Sequence, residues 1–197
     1  MKVLLATRNV KKLRELQRIL SSVALDGLDD VPPYPEVPET GLTFTENALI
    51  KARAGVAHTG LPTVADDSGL AVDALGGMPG VFSARWAGRH GDDRANLELV
   101  LAQIADVPDE HRGAAFVCAA ALVLPDGHEW TVEREMRGRL VRSPRGSGGF
   151  GYDPIFIADG ETRTNAELSP AEKDAISHRG KAFRALADII SGLAARQ

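Results

Sequence analysis

The fold class is decided by the stretch Ala114-Ala115-Phe116-Val117-Cys118-Ala119-Ala120-Ala121-Leu122-Val123-Leu124, which runs into the turn Pro125-Asp126-Gly127. A continuous apolar run bounded by turn residues is typical of a buried strand. Alternating apolar residues follow the turn at Trp130, Val132 and Met136, and they predict a second strand. We therefore expect a β-hairpin, and with it at least one antiparallel pair of strands.

Helices and strands alternate over the rest of the chain. Strands are expected at residues 2–6, 63–65, 70–72 and 155–157, and helices at about residues 10–21, 44–58, 93–105 and 180–195. Two capping boxes, Thr43-Phe44-Thr45-Glu46 and Ser169-Pro170-Ala171-Glu172, mark helix starts. Alternation of this kind together with a hairpin predicts an α/β protein with a mixed sheet. A length of 197 residues favours a single domain, 1–197.

Composition excludes several classes of protein. The 23 Lys and Arg residues against 27 Asp and Glu residues give a net charge of −4, which argues against a nucleic-acid partner. The single cysteine, Cys118, lies in the apolar run and cannot form a disulfide within one chain. The start of the chain does not have the pattern of a signal peptide, and no apolar run reaches membrane-spanning length. We expect a cytoplasmic protein without membrane partners.

A first polar cluster, Thr7-Arg8-Asn9-Val10-Lys11-Lys12, lies where the first strand meets the first helix. Backbone N–H groups at a helix start, together with the helix dipole, can bind a phosphate. Lys12 lies one turn into the helix and could reach back to the same anion. The alternative is that Asn9 only caps the helix while the lysines are solvated. The cluster does not match a Walker loop.

A second cluster is Asp66-Asp67-Ser68-Gly69, after a buried strand. Adjacent carboxylates there are costly unless they bind a cation or share a proton. Mg²⁺ binds one or two carboxylates and completes its shell with waters and phosphates, and a nearby carboxylate can deprotonate an attacking water. The alternative is a solvated turn that ends the strand. Ser68 lacks the G-x-S-x-G elbow of a serine hydrolase, so that class is rejected.

Further candidates flank these clusters. Glu39, ahead of the second helix, could give the metal another oxygen, and Lys51 on that helix could compensate phosphate charge. Both could equally be ordinary surface residues.

The stretch Gly148-Gly149-Phe150-Gly151-Tyr152-Asp153-Pro154 offers an aromatic face and an acid to a heterocycle. Its alternative is a tight loop pinned by buried rings. Lys173, His178 and Arg179 could contact an anion or the carbonyl edge of a purine.

In five ordered motifs the chain resembles the Ham1/RdgB-type inosine triphosphate pyrophosphatases, which clear non-standard purine nucleotides. The motifs are Ala6-Thr7-Arg8-Asn9, Glu39-Thr40-Gly41-Leu42-Thr43-Phe44, Ala65-Asp66-Asp67-Ser68-Gly69-Leu70, the glycine-rich stretch 148–154, and Ala175-Ile176-Ser177-His178-Arg179-Gly180. The resemblance implies an ITPase-like fold with an elongated mixed β-sheet, flanking helices and two lobes around a central cleft. It also implies a Mg²⁺-dependent homodimer that hydrolyses dITP, ITP or XTP between the α and β phosphates.

The resemblance also assigns roles to residues. Asp67 would be the catalytic acid that binds the metal and activates water, with Glu39 as a further metal ligand. The substrate-binding residues would be Thr7, Arg8, Asn9, Val10, Lys11, Lys12, Lys51 and Ser68 for the phosphates, and Phe150, Gly151, Tyr152, Asp153, Lys173, His178 and Arg179 for the base. Arg8 stands where many members have a small glycine, which leaves its orientation open.

Two rivals remain at this point. A Maf-like pyrophosphatase of related architecture would prefer modified pyrimidine triphosphates. A non-catalytic nucleotide sensor would use the same residues for binding alone, although the Asp66-Asp67 pair argues against it, because a sensor has little need for a metal-activated water.

Overall fold

The computed structural model describes residues 2–20 and 23–195, and its strands in that part of the chain form one sheet. They are β1 (Val3–Leu5), β2 (Leu25–Asp26), β3 (Thr63–Val72), β4 (Gly113–Val123), β5 (Glu129–Leu140) and β6 (Phe156–Ala158). Their order in the sheet is β2-β1-β3-β4-β5-β6. The register pairs β1 in parallel with β2 and β3, and β5 antiparallel with β6.

The expected hairpin is confirmed. β4 and β5 are neighbours in the sheet, and the Leu124 N–H donates to the His128 carbonyl at 2.9 Å across the connecting turn. Gly127 takes a φ of 89°, a value that glycine adopts without a steric penalty. The sheet is therefore mixed, as the α/β prediction requires.

The helices are α1 (Val10–Ile19), α2 (Phe44–Thr59), α3 (Asp93–Gln103), α4 (Pro170–Ile176) and α5 (His178–Ala194). Both predicted capping boxes are confirmed, and Gly60 ends α2 in the left-handed conformation. α5 begins two residues earlier than expected, and the expected helix end at Ser21 lies outside the described residues. None of the helices in the described ranges combines the length and apolar character needed to cross a bilayer.

One expected break is absent from β3. The sequence predicts separate strands at 63–65 and 70–72, whereas β3 continues through Asp66, Asp67, Ser68 and Gly69. A strand can keep two carboxylates when each finds a cation, and the contacts described below provide them.

The chain separates into two compact units. The first consists of Met1–Asp67, Cys118–Arg134 and Arg179–Gln197, and the second of Ser68–Val117 and Glu135–His178. Each is assembled from segments distant in sequence, and the divisions fall within β3, β4 and β5 and after the first residue of α5. That the whole chain, 1–197, acts as a single domain stays a prediction.

The first unit packs helices on both faces of its strands. Val64 on β3 belongs to a cluster with Leu16 of α1 and Phe183 of α5. Ala65, the next residue, belongs to a second cluster with Ala48 and Ala52 of α2. Successive strand residues point to opposite faces, so α1 and α5 cover one face and α2 covers the other.

The second unit has its own core. Its buried members include Leu70 of β3, Val100 of α3, Ile104 directly after α3, Phe116 of β4 and Phe156 of β6. Arg112 is also buried there, and its guanidinium donates to the carbonyls of Ile104, Leu140 and Val141. These bonds satisfy a cation that the apolar surroundings would otherwise exclude.

Gly55 provides a test of the close packing of α2 on β3. A Cβ at Gly55 would lie 2.5 Å from Thr63 Cγ2, whereas a Cβ at Gly192 of α5 meets nothing within 4 Å. Gly55→Ala should therefore destabilise the protein by about 1–3 kcal/mol despite the better helix propensity of alanine. Gly192→Ala, the matched control, should be neutral or stabilising by up to about 1 kcal/mol. Urea unfolding measures both, and equal effects would contradict the packing.

Candidate functional site

The acidic pair is buried on β3, with Asp66 1% and Asp67 6% exposed. Because the two are consecutive strand residues, their side chains project to opposite faces. Asp66 shares the face of Val64, which α1 and α5 cover, and Asp67 shares the face of Ala65, which α2 covers. Each carboxylate therefore meets a different set of cations.

Asp66 is held by two cations. Lys12 Nζ donates to Asp66 Oδ2 at 2.8 Å, and Arg179 Nε lies 3.5 Å from the same oxygen. Arg179 also donates to Glu15, so the guanidinium joins two carboxylates. Burial disfavours ionisation of Asp66, but Lys12, Arg179 and Lys51 outweigh it and hold the pKa of Asp66 well below its ordinary value. Asp66 is thus a permanent anion that organises α1 and α5.

Asp67 has weaker support. Asn47 Nδ2 donates to Asp67 Oδ2 at 3.1 Å, and Lys51 Nζ lies 3.6 Å from Asp67 Oδ1. Burial raises the pKa of Asp67 above its ordinary value, while Lys51 and Lys12 only partly offset that effect and Glu39 adds to it. A carboxylate with a raised pKa is a better proton acceptor than an ordinary aspartate. Asp67 is therefore the member of the pair that suits general-base chemistry.

Lys51 connects Asp67 to Glu39. Its Nζ donates to Glu39 Oε1 at 2.6 Å, and its side chain is only 18% exposed. Burial lowers the pKa of Lys51, but Asp67, Asp66 and Glu39 together raise it, so the ammonium stays charged. Two carboxylates thus converge on one cationic atom.

The two carboxylates fit a magnesium ion. Among the described residues no group of three His, Cys, Asp or Glu side chains is arranged to hold a metal by itself. Mg²⁺ does not require such a cage, because it commonly binds through one or two carboxylates plus waters and substrate phosphates. Glu39 and Asp67 supply the oxygen donors that this mode of binding uses.

The turn before α1 has the geometry expected of a helix start. Asn9 caps α1, with Oδ1 accepting from the N–H groups of Lys11 and Lys12 at 3.0 and 3.2 Å, and Thr7 Oγ1 accepts from the Asn9 N–H. Asn9 therefore caps α1, as the alternative has it, but Lys12 is not solvated, because its side chain is only 13% exposed and is bound to Asp66. Capping by Asn9 is compatible with phosphate binding by the same turn. Val10 is exposed, and Ser68 follows Asp67 on β3 as a half-buried residue.

Arg8 has a defined orientation. Its Nη2 donates to the Tyr34 carbonyl at 2.7 Å, and its guanidinium lies over the Tyr34 ring at 5.7 Å. Tyr34 in turn stacks on His58 at 4.9 Å between ring centroids. Arg8 is still solvent-exposed, so it remains accessible to an anion.

In the second unit, Asp153 organises the glycine-rich loop. Its Oδ2 accepts from Lys173 Nζ at 2.6 Å and from the Phe150 N–H at 2.9 Å, and its Oδ1 accepts from Asn165 Nδ2 at 3.2 Å. The Lys173 ammonium lies 4.9 Å from the centroid of the Phe150 ring. The anion that Lys173 contacts is Asp153, and Phe150 is the half-buried ring of the loop.

Tyr152, a member of that loop, and His178 are both buried in the second unit. Tyr152 is buried and its hydroxyl donates to the Ser83 carbonyl at 2.8 Å, while the Gly151 N–H donates to Asp93. Burial raises the pKa of Tyr152 far above its ordinary value. The buried His178 ring stacks on Phe116 at 5.0 Å.

The structure thus groups the candidates into two sets. The first unit contains the metal candidates and the phosphate candidates other than Ser68, and the second unit contains Ser68, Phe150, Gly151, Tyr152, Asp153, Lys173 and His178. Arg179 belongs to the first set through Glu15 and Asp66. Its suggested contact with a base stays a prediction. Sequence reasoning gave no role to Glu15, Asn47 or Asn165. Each bonds to a side chain distant in sequence: Glu15 to Arg179, 164 residues away, Asn47 to Asp67, 20 residues away, and Asn165 to Asp153, 12 residues away.

Opposite effects on stability should follow from neutralising the two acids. Asp66→Asn removes the buried carboxylate partner of Lys12 and leaves Arg179 with Glu15, and it should cost about 3–5 kcal/mol at pH 7. Asp67→Asn mimics the protonated form that burial favours, so it should be neutral or stabilising. Urea unfolding of both variants measures the contrast.

The loss of stability in Asp66→Asn should also depend on pH in a defined direction. A lowered pKa stabilises the fold above the pKa of an ordinary aspartate, and that stabilisation is lost as the pH falls. The deficit of Asp66→Asn should therefore shrink in acid. A deficit that grows in acid, or equal costs for the two variants at pH 7, would contradict the assignment.

The close approach of Gly149 to Asp153 is testable in the same way. Gly149 and Gly151 both have positive φ, 68° and 60°. A Cβ at Gly149 would lie 2.8 Å from Asp153 Cγ, whereas one at Gly151 meets nothing within 4 Å. Gly149→Ala should therefore cost about 1–3 kcal/mol more than Gly151→Ala, because the backbone strain is common to both. Equal losses in urea unfolding would show that Asp153 is not fixed as described.

Comparison with known proteins identifies the family of the chain. The family model described as the Ham1 family matches residues 3–189. A relative from Streptomyces coelicolor, named dITP/XTP pyrophosphatase, is 62% identical over 196 residues, which are 98% of each chain. A second, from Mycobacteroides abscessus and with the same name, is 61% identical and covers 98% of this chain and 96% of its own.

Solved structures give the same result. The Staphylococcus aureus Ham1 protein matches with a TM-score of 0.88 at 35% identity, covering 98% of this chain and 99% of that one. The likeness extends over nearly the full length of both chains, as does that of the curated relatives, and the ordered motifs of the sequence lie within it. The chain belongs to the Ham1 family.

Proposed function

We propose that the chain is a nucleoside triphosphate pyrophosphatase that hydrolyses dITP, ITP and XTP to the monophosphate and pyrophosphate. The observation that carries the proposal is the arrangement of Asp67, Glu39 and Lys51, in which a buried carboxylate with a raised pKa lies beside a second carboxylate and a shared cation. Relatives about 60% identical that are named dITP/XTP pyrophosphatases support the substrate class.

The reaction needs a base for the attacking water. Asp67 accepts the proton of a water whose oxygen attacks the α phosphorus, and the bond from that phosphorus to the bridging oxygen breaks, so pyrophosphate leaves. A base of this kind contributes about 10²–10⁴ in rate. Lys51 partly offsets the effect of burial on the pKa of Asp67 and so favours the ionised form that a base requires.

The charge of the triphosphate needs cations. Bound by Asp67 and Glu39, Mg²⁺ would supply positive charge to the phosphate oxygens. The turn from Thr7 to Lys12 supplies hydrogen-bond donors at the start of α1, and Lys51 lies beside both carboxylates. Ser68 is the residue after Asp67 on β3 and would add a further donor. Lys12 would be shared between the phosphates and Asp66, which now holds it at 2.8 Å.

The residues of the second unit suit the base. The Phe150 ring, with Lys173 near one face, provides a surface for stacking, and Asp153 fixes both. Hypoxanthine and xanthine carry an oxygen at position 6 where adenine has an amino group. Donors from His178 or Arg179, the residues that the resemblance assigns to the base, would pair with that oxygen. With ATP these buried donors would be left unpaired, so the enzyme would discriminate strongly against ATP.

The remaining parts of the proposal are a homodimer, which rests on the family resemblance, and a cytoplasmic location, which rests on the expectation from the sequence. The net charge of −4 supports the absence of a nucleic-acid partner.

A substrate panel tests the function. Purified protein with Mg²⁺ should release pyrophosphate from ITP, dITP and XTP far faster than from ATP, dTTP or modified pyrimidine triphosphates. Asp67→Asn should lower kcat for ITP by about 10²–10⁴, whereas Asp126→Asn, in the exposed hairpin turn, should not change it. Pyrophosphate release mainly from pyrimidine substrates would support a Maf-like enzyme, and tight ITP binding without hydrolysis would support a sensor.

A further inference from the structure

Asn47 makes two hydrogen bonds inside the first unit with one amide group. It is completely buried in α2, with 0% of its surface exposed. Its Nδ2 donates to Asp67 Oδ2 at 3.1 Å, and its Oδ1 accepts from the Gly41 N–H at 2.8 Å. One side chain therefore joins the proposed base on β3 to the loop before α2.

The loop is seated closely on this amide. A Cβ at Gly41 would lie 2.8 Å from Asn47 Oδ1 and 2.6 Å from the Glu46 Cβ, so only a glycine fits there without displacement. Glu46 fixes the next two residues, because its Oε2 accepts from the N–H groups of Leu42 and Thr43. The segment that follows Glu39 is thus held by two side chains of α2.

Asn47 and Lys51 both contact Asp67, and both also contact the segment that begins at Glu39. They lie four residues apart, on one face of α2. Lys51 contacts Glu39 Oε1 and lies nearest to Asp67 Oδ1, whereas Asn47 binds Asp67 Oδ2 and the backbone two residues after Glu39. An amide is suited to this task, because it offers a donor and an acceptor without adding charge.

We propose that Asn47 is a positioning residue of the divalent-cation site. Its two hydrogen bonds hold the Asp67 carboxylate and the Glu39 loop where both acids can bind one cation. The proposal rests on the proposed function, which makes Glu39 and Asp67 the ligands. Groups that hydrogen-bond to metal ligands orient them, and their removal commonly lowers metal affinity or activity by about 10–100-fold. Asn47 does so for one ligand directly and for the other through the loop backbone.

Direct metal binding tests the proposal without turnover. Mn²⁺ titrated into the nucleotide-free protein and followed by electron paramagnetic resonance reports bound and unbound metal. Asn47→Ala should bind Mn²⁺ about 10–100-fold more weakly than the wild type. The matched control is Asn96→Ala, since Asn96 is also a buried helical asparagine, 1% exposed, whose Oδ1 accepts from a loop N–H, that of Ala87, at 2.7 Å. Asn96→Ala should lose stability and keep its Mn²⁺ affinity.

The outcomes distinguish the role of Asn47 from the proposed function. Equal Mn²⁺ affinities of the wild type and Asn47→Ala would overturn the role of Asn47 and leave the proposed function standing. A wild type that binds no Mn²⁺ would overturn both the metal ligands and the role of Asn47.

A measurement on the unmodified protein keeps the test open if the alanine variant does not fold. In ¹⁵N-labelled wild type, saturation with Mg²⁺ should shift the side-chain amide resonances of Asn47 and leave those of Asn96 in place. Unchanged Asn47 resonances at saturating Mg²⁺ would overturn the proposal.

Discussion

Two adjacent carboxylates are buried in one strand, and the first unit is built around the need to compensate them. An ion removed from water costs several kcal/mol unless a partner of opposite charge replaces the lost hydration. The alternation of β3 divides the problem, because Asp66 and Asp67 face different helices. Lys12 and Arg179 compensate Asp66 closely, whereas Asn47 donates to Asp67 and the Lys51 ammonium lies 3.6 Å from it.

This inequality explains why one acid is structural and the other suits chemistry. Asp66 is ionised under any ordinary condition and fixes α1 and α5 on β3 through its cations. Asp67 keeps a raised pKa, because nearby cations only partly offset its burial. Its ionised form therefore lowers the stability of the fold, and the same property makes it a better base. The same division places Glu39 and Asn47 with Asp67, on the face of β3 that α2 covers.

Local signals in the sequence were sufficient for much of the fold. The hairpin and both capping boxes depend on residues within a few positions of each other, and all three are confirmed. The continuity of β3 was missed, because the carboxylates that suggested a break are compensated by residues distant in sequence. The Arg179–Glu15 pair spans 164 residues, and no local pattern announces such a contact. For the same reason the sequence suggested that Asp153 contacts a base but did not indicate its ion pair with Lys173, which lies 20 residues away.

The central claim is that the pKa values of two neighbouring aspartates are shifted in opposite directions. A carboxyl-carbon NMR titration tests it most directly. With the ¹³Cγ resonances of Asp66 and Asp67 assigned in the folded wild type, the account predicts that Asp67 protonates at a higher pH than an ordinary aspartate. Asp66 should stay ionised as far into acid as the protein remains folded. Identical titrations, or an Asp66 that protonates before Asp67 as the pH falls, would contradict the account.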